Sequence, residues 1–200
     1  MRKRIAFISS IVIAVIVLIT YVYFSYFEPN VIKPYKFNLT QTRLLDTIGS
    51  DNVRIYNYCL SKEVNELRLS VSLYNNGVLI DEIISLPYLF NNGVGTKKGS
   101  IILDYSRDEW LVSIKYGTTR ISNTALISDC EKTITDTKIT GIEVGYNKKR
   151  TKISANEKVV LALYDYYEFR EEMFSLMDCF KDYQKIDKLG WVVVTEVSVK

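Results

Sequence analysis

The stretch Ile5–Phe27, IAFISSIVIAVIVLITYVYFSYF, constrains this chain more than any other. It holds no charged residue, and Ser9, Ser10, Thr20 and Ser25 are its polar interruptions. As a helix rising 1.5 Å per residue it would be roughly 34 Å long, against a bilayer hydrocarbon core of about 30 Å. Arg2, Lys3 and Arg4 stand before it, and Tyr21, Tyr23, Phe24, Tyr26 and Phe27 close it. A basic flank followed by an aromatic belt is the order of a single-pass anchor with its N-terminus in the cytoplasm. A cleaved signal peptide has a shorter apolar core and a small-residue cleavage site, and this stretch ends instead in bulky rings. The expected layout is therefore a cytoplasmic flank and transmembrane anchor over 1–27, then an exported domain over 37–200. Between them Glu28–Lys36 (EPNVIKPYK) carries two of the three prolines and is expected as a stiff stalk.

Charge matters here through its location. The chain has 26 Lys and Arg against 23 Asp and Glu, a net charge of +3. Arg2, Lys3 and Arg4 account for that excess, so the exported domain is formally neutral. A basic field for nucleic acid is absent, and no base-reading motif occurs, so no nucleic-acid partner is expected. Histidine is missing altogether. That removes the commonest general base, the Ser-His and Cys-His nucleophile systems and a leading metal ligand, and it shifts expectation away from an enzyme. No metal or cofactor is expected. Cys59, Cys130 and Cys179 are widely spaced, without a C-x-x-C pair. Three small buried hydrophobes describe them better than one disulfide plus a free thiol, for which three pairings exist.

From Phe37 onward the pattern is alternation with β-branched and aromatic residues. Val53–Leu60 reads as a strand. In NELRLSVSLY, Leu67, Leu69, Val71 and Leu73 point one way and Arg68, Ser70 and Ser72 the other. Asn75-Asn76-Gly77 supplies the left-handed residues of a tight hairpin, with 78–86 returning as its partner. The apolar phase of that return shifts near Asp81 and Glu82, which calls for a bulge or a longer turn. Residues 91–99 are loop by composition. SIILDY and EWLVSIKY form a second hairpin, with Trp110, Val112, Ile114 and Tyr116 on one face. One more strand is expected near 120–127, followed by a loop, and then 137–146 and 157–167 bracketing a basic turn over 147–152. Asp178 can cap a short helix over 179–188 with Phe180, Tyr183 and Ile186 on its buried side, ending at Gly190. The valine-rich end, WVVVTEVSV, reads as an interior strand.

Three clusters carry chemistry. Asp104, Asp108 and Glu109 flank a turn and offer oxygen ligands, but they lack the spacing of a calcium loop, and turn hydrogen bonding accounts for them. Lys148, Lys149, Arg150 and Lys152 form the basic cluster of the exported domain, suited to anionic lipid headgroups or wall polymers, or simply a solvated turn. Tyr164, Tyr166 and Tyr167, with neighbouring carboxylates, offer rings that stack on sugars or receive a peptide. Alternation puts Tyr164 and Tyr166 on one face and Asp165 and Tyr167 on the other, so ordinary sheet packing claims some of them. Glu171 and Glu172 are a weak glycosidase pair, since adjacent strand residues face opposite ways.

The anchor, the hairpin ELRLSVSLYNNGVLIDEI, the segment KKGSIILDYSRDEWLVSI and the ending MFSLMDCFKDYQKIDKLGWVVV resemble small uncharacterised membrane-anchored or secreted β-rich proteins of Gram-positive bacteria. The resemblance implies an envelope location and transfers no active site. The expected architecture is mainly β: an N-terminal transmembrane helix, then an antiparallel sandwich-like domain of about nine strands with one short late helix. The expected function is a membrane-anchored extracytoplasmic binding or interaction module. Its partners would be the membrane through residues 5–27 and a protein or anionic envelope polymer. The alternative is a carboxylate-based hydrolase acting on wall or extracellular glycans.

Overall fold

Leu67, Leu69, Val71 and Leu73 all turn inward in the computed structural model and are no more than 1% exposed, as their alternation predicts. The structure describes residues 2–26, 29–47, 52–90, 96–105, 109–134, 141–167, 180 and 183–200. Along the chain these form α1 (Arg2–Tyr26), β1 (Val31–Pro34), α2 (Leu39–Thr47), β2 (Val53–Leu60), β3 (Glu66–Asn75) and β4 (Val78–Leu89). Then come β5 (Lys97–Asp104), β6 (Glu109–Tyr116), β7 (Thr119–Leu126), α3 (Ile127–Thr133), β8 (Gly141–Tyr146) and β9 (Thr151–Lys152). The chain closes with β10 (Lys158–Tyr167), a 3-10 helix (Tyr183–Lys188) and β11 (Trp191–Val199).

Two antiparallel sheets result: six strands in the order β7-β6-β5-β2-β1-β9, and five in the order β4-β3-β11-β10-β8. Their facing sides enclose one apolar core, in which Trp110, Leu103, Ile114, Leu67 and Leu161 are fully buried. The valine-rich β11 is central, between β3 and β10, as its composition predicts. A smaller cluster on the outer face of the five-stranded sheet holds Leu163, Val192 and Val194 under Ile186 and Leu189. That cover explains why β11 is apolar on both faces.

The hairpin closes as expected, with Asn75 opposite Val78 and both Asn76 (φ 47°) and Gly77 (φ 76°) in the left-handed region. The phase shift on β4 is a double bulge: the register slips between Val71 and Ser72 and again between Leu73 and Tyr74, bracketing Asp81 and Glu82.

Several expectations need correction. The expected stalk over 28–36 holds a strand from residue 31 on, because Val31–Pro34 pairs with β2 and β9, and Val31 and Ile32 are buried. Pro34 is tolerated because β9 extends only over Val31 and Ile32, so its missing N–H interrupts no ladder on that side. Lys97–Gly99 belongs to β5 rather than to a loop, and residues 127–133 are helical. The basic turn ends in a strand, β9. The late helix is the 3-10 segment Tyr183–Lys188, while Asp178 and Cys179 lie outside the described residues. Cys59 is a half-buried free thiol rather than a core hydrophobe; the side chains of Cys130 and Cys179 lie outside the description.

In α1 side chains are described from 11 to 23, and all of them are exposed, Leu18 at 62%. That stretch is about 20 Å long. Among the described residues no helix is long and apolar enough to cross a membrane.

Candidate binding cleft

The two sheets meet unequally at their edges. On one side β4 and β7 lie against each other and close the sandwich. On the other, the six-stranded sheet ends in a two-residue strand, so β8 overhangs it. Ile142 and Val144 pair with the core residues Tyr166 and Tyr164 and therefore share their face, yet they are 48% and 40% exposed. An open cleft of about 670 Å³ results, walled by Pro34–Phe37, Arg54–Tyr56 and the run from Glu143 to Lys148.

Local rules position its side chains. Tyr35 extends the β1 ladder, its N–H donating to the Ile55 carbonyl at 2.7 Å. Tyr35 and Phe37 then meet edge to face, centroids 5.2 Å apart. Asn38 and Gln41 form a reciprocal capping box at the start of α2: the Gln41 N–H donates to Asn38 Oδ1 at 2.9 Å, and the Asn38 N–H to Gln41 Oε1 at 3.0 Å. Gln41 Nε2 also donates to the Tyr35 hydroxyl at 3.2 Å, so the cap that starts the helix also holds a cleft ring.

On the facing wall the Arg54 guanidinium lies 4.3 Å above the Tyr146 ring. Tyr146 stacks on Tyr105, which meets Tyr164 edge to face, and Tyr164 in turn meets Trp110. The cleft floor is thus continuous with an aromatic spine running into the core. Tyr56 donates its hydroxyl to the Leu161 carbonyl at 2.8 Å, tying the two sheets together. Burial pushes the Tyr56 hydroxyl far up, and it pushes Tyr146 up with the Arg54 cation partly opposing. Both stay protonated at neutral pH and act as donors and rings, not as bases.

The structure separates the residues that the sequence grouped. Lys148 lines the cleft, with Lys149 and Arg150 exposed beyond it. The turn is anchored by buried Asn147, whose Nδ2 donates to the Val160 carbonyl at 3.1 Å and whose Oδ1 accepts from the Lys149 N–H at 3.0 Å. Lys152 sits on β9, outside the cleft lining. Tyr164 and Tyr166 are 7% and 3% exposed and belong to the core, so they present no surface to a ligand; Tyr167 is half-buried on the other face. Sequence reading missed Tyr35, Phe37, Arg54 and Tyr146. The ring pair at 35 and 37 was the available signal, obscured by assigning its first member to a stalk.

The cleft brings together aromatic faces, Arg54, Lys36 and Lys148, and one carboxylate among its lining residues, Glu143. Asp165 stands opposite Glu143 in register but is 1% exposed. Glycan cleavage needs two carboxylates flanking the sugar bond, about 5–9.5 Å apart. The described lining supplies one. Among the described residues no cluster of metal-ligating side chains occurs. Comparison with known proteins finds no matching family model, no similar curated protein and no similar solved structure.

Proposed function

We propose that this chain is a membrane-anchored extracytoplasmic binding module of the bacterial envelope, and that its open-edged cleft takes an anionic glycan-type polymer. The observation that carries the reading is the composition of the cleft walls. Tyr35 and Phe37 offer rings for sugar stacking, while Arg54, seated over the Tyr146 ring, and Lys36 and Lys148 supply positive charge around a single acid. Rings and cations alternating along an open trough suit a chain-like ligand better than a small enclosed one. The anchor reading draws support from the apolar run of α1, whose described side chains are exposed on every side, as a helix surrounded by lipid would be. A hydrolase acting on the same polymer is the less favoured reading, for want of a second carboxylate among the cleft's lining residues.

The test is equilibrium binding of an anionic wall polysaccharide to the full chain in detergent, with Tyr35→Ala and Lys148→Glu as variants. Each variant should weaken binding about five- to tenfold, the loss expected for one stacking ring or one partly desolvated charge contact. Binding unchanged in both variants would place the partner elsewhere. Release of sugar fragments during the titration would instead favour the hydrolase.

A further inference from the structure

The outward face of the six-stranded sheet carries a charge pattern that is scattered in the linear sequence. Register sets Lys33, Asn57, Ser100, Lys115 and Arg120 side by side in one row across β1, β2, β5, β6 and β7. The next row, one side-chain repeat nearer the start of β1, holds Lys152, Val31, Cys59 and Lys98. Residues paired across strands share a face, so both rows lie on the side of the sheet opposite Ile32, Tyr58 and Ile114; within the second row Val31 is covered, at 5% exposure, between the exposed cations. All five cationic residues are exposed, and neither row contains a carboxylate. Lys115 and Arg120 stand directly opposite one another, an arrangement that costs a sheet stability. Asn57 and Ser100 bond to each other, Oγ donating to Oδ1 at 3.0 Å, and serve as neutral spacers. With strands about 4.8 Å apart the patch is roughly 20 Å wide.

The position of the patch along the chain matters as much as its charge. Asn30 is fixed to the sandwich in a left-handed conformation (φ 59°). Its Oδ1 accepts the Ser61 N–H at 2.9 Å, and its carbonyl accepts the Ile153 N–H at 2.9 Å. Residues 27–29 alone separate it from the end of α1, a reach of at most roughly 14 Å. Val31, the next residue after Asn30, belongs to one of the two cationic rows. Both rows therefore lie at the end of the sandwich that the tether holds closest to α1.

We propose that this face docks on the anionic lipid headgroups of the bilayer that holds α1. The inference rests on the anchor reading given above, and not on the cleft. Exposed charges feel a negative surface only within about a Debye length, near 8 Å at physiological salt, and so short a tether lets the patch come within that range. A flat row of cations matches a plane of headgroups, whereas a pocket would be needed to single out one small anion. Lysine and arginine stems also let the charged heads reach the interface while the sheet stays above it.

The experiment reconstitutes the full chain in nanodiscs of phosphatidylcholine, with or without phosphatidylglycerol. Labelling of lysines by an amine-reactive reagent is then read by mass spectrometry. Lys33, Lys98 and Lys115 should label about fivefold more slowly in the anionic discs, the factor that about 1 kcal/mol per cation near an anionic surface implies. Lys132, on α3 at the far end of the sandwich, should not change. High salt should restore labelling, and so should the double variant Lys115→Glu/Arg120→Glu at Lys33 and Lys98. Equal labelling in both kinds of disc, with the chain inserted, overturns the docking face and leaves the anchor standing. Failure of the chain to insert even into neutral discs sinks both. Protection in neutral discs on adding a soluble anionic polysaccharide, without any from anionic lipid, overturns lipid as the occupant.

Discussion

Raising the pH through 10 should unfold this domain cooperatively, because tyrosine hydroxyls fill so much of its interior. Tyr56, Tyr58, Tyr105 and Tyr164 are each no more than 7% exposed. Tyr56 donates to the Leu161 carbonyl at 2.8 Å, Tyr58 to the Lys115 carbonyl at 3.1 Å, and Tyr105 pairs with Thr195 Oγ1 at 2.5 Å. Burial raises the pKa of all four above the ordinary value of 10.0. A raised folded-state pKa means the stabilising contribution is fully present below pH 10. It is lost as the pH climbs from there, since the unfolded chain ionises while the folded chain does not. At pH 11 each unfolded tyrosine has gained about 1.4 kcal/mol by ionising, so the four together remove about 5–6 kcal/mol. That is comparable with the whole stability of a typical domain, about 5–15 kcal/mol. The assay is a parallel titration of the full chain in detergent, following phenolate absorbance and far-ultraviolet circular dichroism. A step in phenolate signal between about pH 10 and 11.5 should coincide with loss of the β signal. A smooth titration of every tyrosine near pH 10, with the β signal intact, would show that water reaches these hydroxyls and would refute the argument from burial.

Two further expectations concern packing. At Gly77, φ is 76° and an added Cβ would lie 2.7 Å from Asp187 Cβ and 2.8 Å from Asp187 Cα, so Gly77→Val meets both backbone strain and a collision. A loss of about 2–4 kcal/mol is expected in denaturant unfolding, and a loss under about 1 kcal/mol would mean the turn is not built this way. Trp110 is fully buried beside Tyr164, and Trp110→Ala should cost about 3–5 kcal/mol by leaving a large cavity; an unchanged urea midpoint would contradict its place in the core.

Elements whose signal is local were legible from residue types alone. The alternation through Leu67, Leu69, Val71 and Leu73 set which side of β3 is buried, because a strand's side chains switch faces at every residue. Asn76-Gly77 set the hairpin, because few other pairs adopt two successive left-handed conformations cheaply. The valines of 191–199 placed β11 inside a sheet, and the absence of histidine bounded the chemistry from composition alone. Tertiary structure decided what depended on partners distant in sequence. Four residues, Val31–Pro34, are too short for a period-two pattern to stand out, and only pairing with Val53–Leu60 made them a strand rather than a stalk. Tyr164 and Tyr166 look the same in sequence whether exposed or buried, and it is the second sheet lying over them that put them in the core. The cleft exists because β9 stops after two residues and leaves β8 overhanging, a difference in sheet width that no single segment encodes. The cationic rows arise the same way. Lys33, Lys98, Lys115, Arg120 and Lys152 are far apart along the chain, and register alone, fixed by backbone hydrogen bonds and the burial of the opposite face, brings them onto one surface.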